Sequence, residues 1–124
     1  MDVTVRVLIV DDQAPFRRVA REVVEHAGDF EVVGEASSGE ESVTLARELR
    51  PDLILMDVNL PGIDGTEATR QILAERGDAT VLLVSTYEES EYEPRAAECG
   101  AIGYVTKSRF DPDRLAEVWA SASG

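Results

Sequence analysis

Three carboxylates in this chain stand where they could act together. Asp11 and Asp12 are adjacent and follow the apolar run Val7-Leu8-Ile9-Val10, while Asp57 follows Leu53-Ile54-Leu55-Met56 and precedes a Pro61-Gly62 turn. An uninterrupted apolar run of this length, bounded by turn signals, reads as a strand covered on both faces. Charge is excluded from such a place unless something pairs with it. Taken alone, Asp57 has a second reading as the cap of the Pro61-Gly62 turn, because Asp is common at strand ends and turns. Brought together, two carboxylates about 4 Å apart repel by roughly 4 kcal/mol at an effective dielectric near 20. Three such groups must raise a pKa, hold a cation, or both. Magnesium suits the set: it takes hard oxygen ligands, uses one or two carboxylates and leaves positions for phosphate oxygens. Asn59, just beyond Asp57, can offer its backbone carbonyl to the same ion. Asp57 then has the surroundings of a nucleophile toward phosphorus, a known use of carboxylates.

The elements that must position these groups follow from periodicity. Val3, Val5, Val7, Leu8, Ile9 and Val10 predict a first strand that begins alternating and ends continuous. Phe16, Val19, Ala20, Val23, Val24 and Ala27 then fall on one face of a helix. Asp12 or Gln13 can open that helix, Pro15 suits its first turn and Gly28 ends it. Residues 31–36 predict a short strand, and Ser38-Gly39-Glu40-Glu41 opens a second helix presenting Val43, Ala46 and Leu49 before Pro51. After the strand that ends at Asp57, Asp64-Gly65 starts a third helix with Ala68, Ile72 and Leu73 on its apolar side. Val81 to Val84 form a fourth strand ending at Ser85-Thr86, and Ala101 to Val105 a fifth ending at Thr106-Lys107. Residues 88–98 are helical by position, though rich in Glu and weakly periodic; Leu115, Val118, Trp119 and Ala122 mark the last helix.

Strands alternating with helices imply parallel βα units joined by right-handed crossovers. The expected fold class is α/β, a doubly wound five-stranded parallel sheet of flavodoxin-like order 2-1-3-4-5 with five helices. In that order the topological switch lies between the first and third strands, and ligands bind beyond their carboxyl ends. Asp11, Asp12 and Asp57 therefore share one crevice, and Ser85 and Lys107 come to the same edge. Phosphoryl transfer asks mainly for in-line positioning and neutralised charge on the equatorial oxygens. Lys107 can supply a point charge and the Ser85 hydroxyl a hydrogen bond. Singly, each has an ordinary reading, a solvated lysine and a strand-end serine; their agreement in position is the argument.

At 124 residues the chain is one domain, and 44% hydrophobic with 30% charged residues is neither disordered nor fibrous. No apolar run approaches a bilayer span and no signal-peptide pattern opens the chain, so the expectation is a soluble cytoplasmic protein with no membrane partner. A single cysteine, Cys99, and a single histidine, His26, leave no disulfide and no Cys/His metal framework. A net charge of −13 opposes direct nucleic acid binding by this chain, which needs a positive surface to displace counterions. The linker-like stretch is Ala120-Ser121-Ala122-Ser123-Gly124.

Along essentially its whole length the chain resembles the receiver domain of two-component response regulators. The matching residues are Val10-Asp11-Asp12, Met56-Asp57-Val58-Asn59-Leu60-Pro61-Gly62-Ile63-Asp64-Gly65, Ser85, and Gly103-Tyr104-Val105-Thr106-Lys107. The wording Val33-Gly34-Glu35-Ala36 and Asp64-Gly65-Thr66-Glu67-Ala68 is most similar to receivers that precede a helix-turn-helix output domain of the NarL/LuxR type. The resemblance implies a receiver over residues 1–119, with 120–124 as a tail or the start of a linker. It implies that Asp57 accepts a phosphoryl group from a phosphohistidine on a sensor histidine kinase, that Asp11, Asp12 and Asp57 hold Mg2+, and that Lys107 contacts the phosphoryl group. It further implies that Ser85 moves toward the phosphate while Tyr104 swings from exposed to buried, a two-state switch biased by phosphorylation. A homodimer formed on phosphorylation is a possible further partner, and control of transcription through a helix-turn-helix domain outside these residues is the implied output. The alternative of a stand-alone regulator stays open.

Two positions depart from the family pattern. Thr86 stands where Ala or Gly is usual, and a bulkier residue beside the pocket restricts small phosphodonors or the attacking water. Ser108 follows Lys107 where proline is common; a cis bond without proline costs about 3 to 4 kcal/mol, so a trans bond is expected. Rival classes fare worse. A magnesium phosphatase with an aspartyl nucleophile needs an acid two residues later to protonate the leaving group, where this chain has Asn59, so no turnover enzyme is expected. A flavodoxin-type carrier needs a phosphate-binding loop after the first strand, where Asp11-Asp12-Gln13 would repel phosphate. A receiver-like interaction module that never accepts phosphate remains open.

Overall fold

The computed structural model describes residues 4–123. Val3, the expected start of the first strand, and Gly124, the end of the expected tail, lie outside the described residues. Five strands, β1 (Val5–Val10), β2 (Phe30–Ala36), β3 (Leu53–Met56), β4 (Thr80–Ser85) and β5 (Gly103–Thr106), form one sheet of order β2-β1-β3-β4-β5. All neighbouring pairs are parallel. Helices α1 (Ala14–His26), α2 (Gly39–Leu49), α3 (Gly65–Glu75), α4 (Glu89–Cys99) and α5 (Pro112–Ser123) alternate with them, and a 3-10 turn at Lys107–Arg109 leaves β5. The expected doubly wound α/β architecture is the one observed.

Each strand contributes to two cores. Val5, Val7 and Ile9 of β1 pack with Leu53 and Leu55 of β3 against Ala20, Val23 and Val24 of α1 and Leu115 of α5. Leu8, Val10, Ile54 and Met56 point the other way, toward Ala46 of α2, Ala68 and Ile72 of α3, and Ala96 and Cys99 of α4. Burial on both faces removes the polar alternation of a one-sided sheet, which is why β1 and β3 read as continuous apolar runs.

The structure departs from the periodicity in three places. Val19, assigned to the buried face of α1, is 49% exposed; at 100° per residue it falls about 40° outside the arc that carries Phe16, Ala20, Val23, Val24 and Ala27. β5 starts at Gly103 rather than Ala101, because the left-handed Gly100 (φ 94°) that ends α4 turns the chain so that Ala101 N–H still bonds the Ala96 carbonyl. The stretch read as linker-like continues α5 through Ser123. Alanine and serine contain no helix breaker, and a helix already anchored by Leu115, Val118 and Trp119 propagates through them.

Candidate phosphoacceptor site

Asp11 and Asp57 are brought side by side by β1 and β3, with the Asp57 N–H donating to the Val10 carbonyl at 2.9 Å. Both are buried, at 1% and 4% exposure, while Asp12 is exposed at the rim. Asp11 is fixed by its own turn: its Oδ1 accepts from Gln13 N–H at 2.8 Å, and its carbonyl accepts from Arg17 Nη1 at 2.7 Å. Asp57 is fixed by the start of α3. Gly65 N–H donates to the Val58 carbonyl at 2.9 Å, and a Cβ at Gly65 would collide with the Asp57 carbonyl, so only glycine lets the helix begin this close to the strand end. Asp64 caps that helix by accepting from Glu67 N–H at 2.9 Å, and Glu40 of α2 accepts from Ile63 N–H at 3.2 Å, tying down the intervening loop.

The three acids each present an oxygen within 4.8 Å of the others. Asp11 Oδ2 is buried and accepts no hydrogen bond. Its near neighbour is Lys107 Nζ at 2.7 Å, an ion pair by distance in which the ammonium is not aligned as a hydrogen-bond donor. A buried carboxylate oxygen left in that state is suited to a hard cation, and the all-oxygen donor set suits Mg2+ over softer metals. Asn59, whose backbone carbonyl was expected to join the set, is an exposed residue next to these acids; its N–H donates to Asp57 Oδ1 at 3.3 Å.

Ser85, the last residue of β4, is buried at the same edge, where its hydroxyl favours the ionised Asp57 carboxyl. Lys107 lies 3.4 Å from Asp57 Oδ2. The peptide bond to Ser108 is trans, as are all bonds among the described residues. Burial pushes the Asp57 carboxyl above its ordinary value; the Ser85 hydrogen bond opposes this, Asp11 adds to it, and Lys107 opposes it. Thr86, the departure beside the pocket, is exposed.

Tyr104 is buried, at 2% exposure, and its hydroxyl donates to the Tyr87 carbonyl at 2.8 Å. It belongs to a stack that the sequence reading did not anticipate. Tyr92 of α4 stacks on Tyr87 at 4.4 Å between ring centroids and tilts against Tyr104 at 5.5 Å, and Tyr87 donates from its hydroxyl to Asn59 Oδ1 at 2.9 Å. The signal available was a tyrosine two residues after Ser85 and another on the otherwise weakly apolar α4. Phe16 lies on the apolar stripe of α1, and Lys107 Nζ lies 4.4 Å from its ring centroid.

Residues 7–120 match the family model of the response regulator receiver domain. The chain belongs to this family. The receiver is 46% identical over 103 residues to the response regulator GacA of Pseudomonas viridiflava, covering 83% of this chain and 48% of that protein. It is 40% identical over 120 residues to the transcriptional regulatory protein LiaR of Bacillus subtilis (strain 168), covering 97% of this chain and 57% of LiaR. Among solved structures, a two-component response regulator of the LuxR family from Aurantimonas sp. SI85-9A1 superposes with a TM-score of 0.87 at 39% identity, covering 96% of this chain and 84% of that one. The response regulator domain of Thermotoga maritima CheB gives 0.85 at 30% identity, covering 98% of each chain. The receiver is of the LuxR/NarL type and spans about half the length of the curated relatives it matches. Receivers generally use Mg2+ and interact with sensor histidine kinases. No helix among the described residues is long and apolar enough to cross a membrane.

Proposed function

We propose that Asp57 is the phosphoacceptor, taking a phosphoryl group from a phosphohistidine of a sensor histidine kinase in the cytoplasm. An Asp57 oxygen attacks phosphorus, the new O–P bond forms as the N–P bond breaks, and the bonding pair leaves on the imidazole nitrogen of the donor. Asp11, Asp12, Asp57 and the Asn59 carbonyl would hold Mg2+, which would neutralise charge on the transferring group. Lys107 contacts a phosphoryl oxygen and Ser85 donates a hydrogen bond to another. The burial of Asp57 excludes bulk water, so these donors act in a medium of low dielectric. The receiver assists its own phosphorylation and dephosphorylation and turns over no external substrate. Residues 1–119 form the switch, and residues 120–124 lead toward an output domain of the helix-turn-helix class through which transcription is controlled. The reading rests above all on the buried Asp11 oxygen that lacks a hydrogen bond beside two further carboxylates and a lysine.

The phosphoryl group acts by contacts that only one state offers, holding Ser85 and Tyr104 in the buried positions they occupy here. A second reading, a module that binds its partner without phosphate, is favoured by Tyr104 already being buried and bonded to the Tyr87 carbonyl. The test is intact-protein mass after incubation with acetyl phosphate, with and without Mg2+, for wild type and Asp57→Asn. One added phosphoryl group that requires Mg2+ and is absent from the variant supports the phosphoacceptor. No addition, even from a phosphohistidine donor, moves the function to the second reading.

A further inference from the structure

The structure assigns Phe16 as the positioning residue for the Lys107 ammonium: its ring face holds the charge at the site, and its packing on Phe110 anchors the loop that carries it. The inference rests on the phosphoacceptor reading above and adds to it a residue with no polar atom.

Lys107 Nζ has three close neighbours, Asp11 Oδ2 at 2.7 Å, Asp57 Oδ2 at 3.4 Å and the Phe16 ring centroid at 4.4 Å. Its side chain is 13% exposed. The two carboxylates are both wanted by a cation, so the lysine cannot rely on them during the reaction. With Asp11 engaged by a divalent ion the shorter ion pair would be lost, and the ammonium, on its flexible four-carbon stem, would be free to turn to solvent. A third carboxylate would hold the lysine but would also trap it or recruit the metal. An aromatic face attracts the ammonium through its quadrupole, offers no lone pair to a hard cation, and so retains the lysine whether or not Asp11 is engaged.

The same ring fixes the loop. Lys107 begins the 3-10 turn Lys107–Arg109, which closes when Phe110 N–H donates to the Lys107 carbonyl at 3.3 Å. Phe110 is buried and packs on Phe16, with centroids 6.4 Å apart at 46°. Ser108, where the family commonly has proline, supplies no rigid link, and its peptide bond is trans. Phe16 thus grips the turn from both ends, the charge at Lys107 and the ring at Phe110.

The test compares wild type, Phe16→Leu, Phe16→Tyr, Lys107→Met and the Phe16→Leu/Lys107→Met pair. Nuclear magnetic resonance of the Lys107 ε-methylene protons should show an upfield ring-current shift in wild type and Phe16→Tyr that is lost in Phe16→Leu. Phosphorylation by acetyl phosphate at saturating Mg2+ should slow by roughly 5- to 30-fold in Phe16→Leu, the span of a partly desolvated cation–π contact. Phe16→Tyr should keep the wild-type rate, and the leucine should cost nothing further once Lys107 is methionine. Should Phe16→Leu fail to fold, fluorinated phenylalanines at position 16 keep the shape while draining the ring's negative face, and the rate should fall with each added fluorine. A phosphorylating wild type whose rate ignores the leucine or the fluorines, or loses as much in the Lys107→Met background, overturns the role of Phe16 alone. A wild type that takes no phosphoryl group from acetyl phosphate or from a phosphohistidine donor overturns the phosphoacceptor reading, and the role of Phe16 with it.

Discussion

Lys107 Nζ lies nearer to Asp11 than to Asp57, at 2.7 Å from one Oδ2 and 3.4 Å from the other. The ammonium therefore sits on the carboxylate that a divalent ion would need and must be displaced from it. Lys107→Met should raise Mg2+ affinity by about tenfold, or 1.4 kcal/mol, a fraction of the charge–charge repulsion expected at this separation. The same variant should take up the phosphoryl group more slowly, at a rate still measurable. Isothermal titration with Mg2+ alone reads the first effect, and unchanged or weaker binding would show that the lysine does not compete.

Asp57 is held above its ordinary carboxyl value chiefly by burial, with Asp11 adding to the effect. A raised native pKa means that the folded state binds the proton more tightly than the unfolded chain does. The contribution of this group to stability is then complete below the unfolded value near 3.9 and is lost as pH rises through the raised value. At neutral pH the ionised acid is a cost. Asp57→Asn, free of Mg2+, should melt above wild type at pH 7, by about 4 °C for each kcal/mol relieved in a domain of this size. The gap should close below about pH 4. A variant that melts lower at pH 7 would mean that Lys107 and Ser85 more than offset the burial.

The sheet and its site were legible in the sequence for one reason. Burial on both faces writes β1 and β3 as apolar runs, so the acids at Asp11 and Asp57 stand out as interruptions, and parallel topology then sends every such interruption to one edge. Contacts between distant side chains left no comparable mark. Nothing in the spacing of Tyr87, Tyr92 and Tyr104 says that they stack, and Phe16 fits the apolar stripe of α1 whether or not a lysine lies over it. The margin of a stripe is equally hard to read, as Val19 shows, because exposure depends on how far the neighbouring elements reach.

Tyr104 is pushed up to about 12, mainly by burial of its hydroxyl. The neutral phenol donates to the Tyr87 carbonyl, and the phenolate cannot. Its stabilising contribution is whole below the unfolded value near 10 and is lost as pH rises through about 12. Tyrosinate absorbance should therefore show a last titration step near 12 that vanishes in Tyr104→Phe. The variant should also unfold less steeply with alkali and lose about 1 kcal/mol at neutral pH with its hydrogen bond. A titration curve that Tyr104→Phe leaves unchanged at its upper end would place the high-pH group elsewhere.

Helix α4 should be the element that Tyr92 holds in place. Its cap residue Glu88 makes no side-chain capping bond, Pro94 interrupts its hydrogen bonding, and its buried residues, Ala96 and Cys99, lie in its second half. The first half is attached by Glu89, which accepts from Thr106 N–H at 3.3 Å and pairs with Arg109 at 3.5 Å, and by the Tyr92 ring, between Tyr87 at 4.4 Å and Tyr104 at 5.5 Å, with Arg95 over the Tyr92 ring at 5.1 Å. Two aromatic pairs of this kind contribute about 1 to 3 kcal/mol together. Tyr92→Ala should lower stability by that amount and speed amide hydrogen exchange in the first turns of α4, leaving α2 and α3 protected as before. Tyr92→Phe keeps the rings and should exchange like wild type. Because Tyr104 is one of the rings and Tyr87 reaches Asn59, the stack links the Asp57 edge to this half of the helix. Exchange that quickens equally in all helices would mean that Tyr92 supports the fold as a whole and carries no such local coupling.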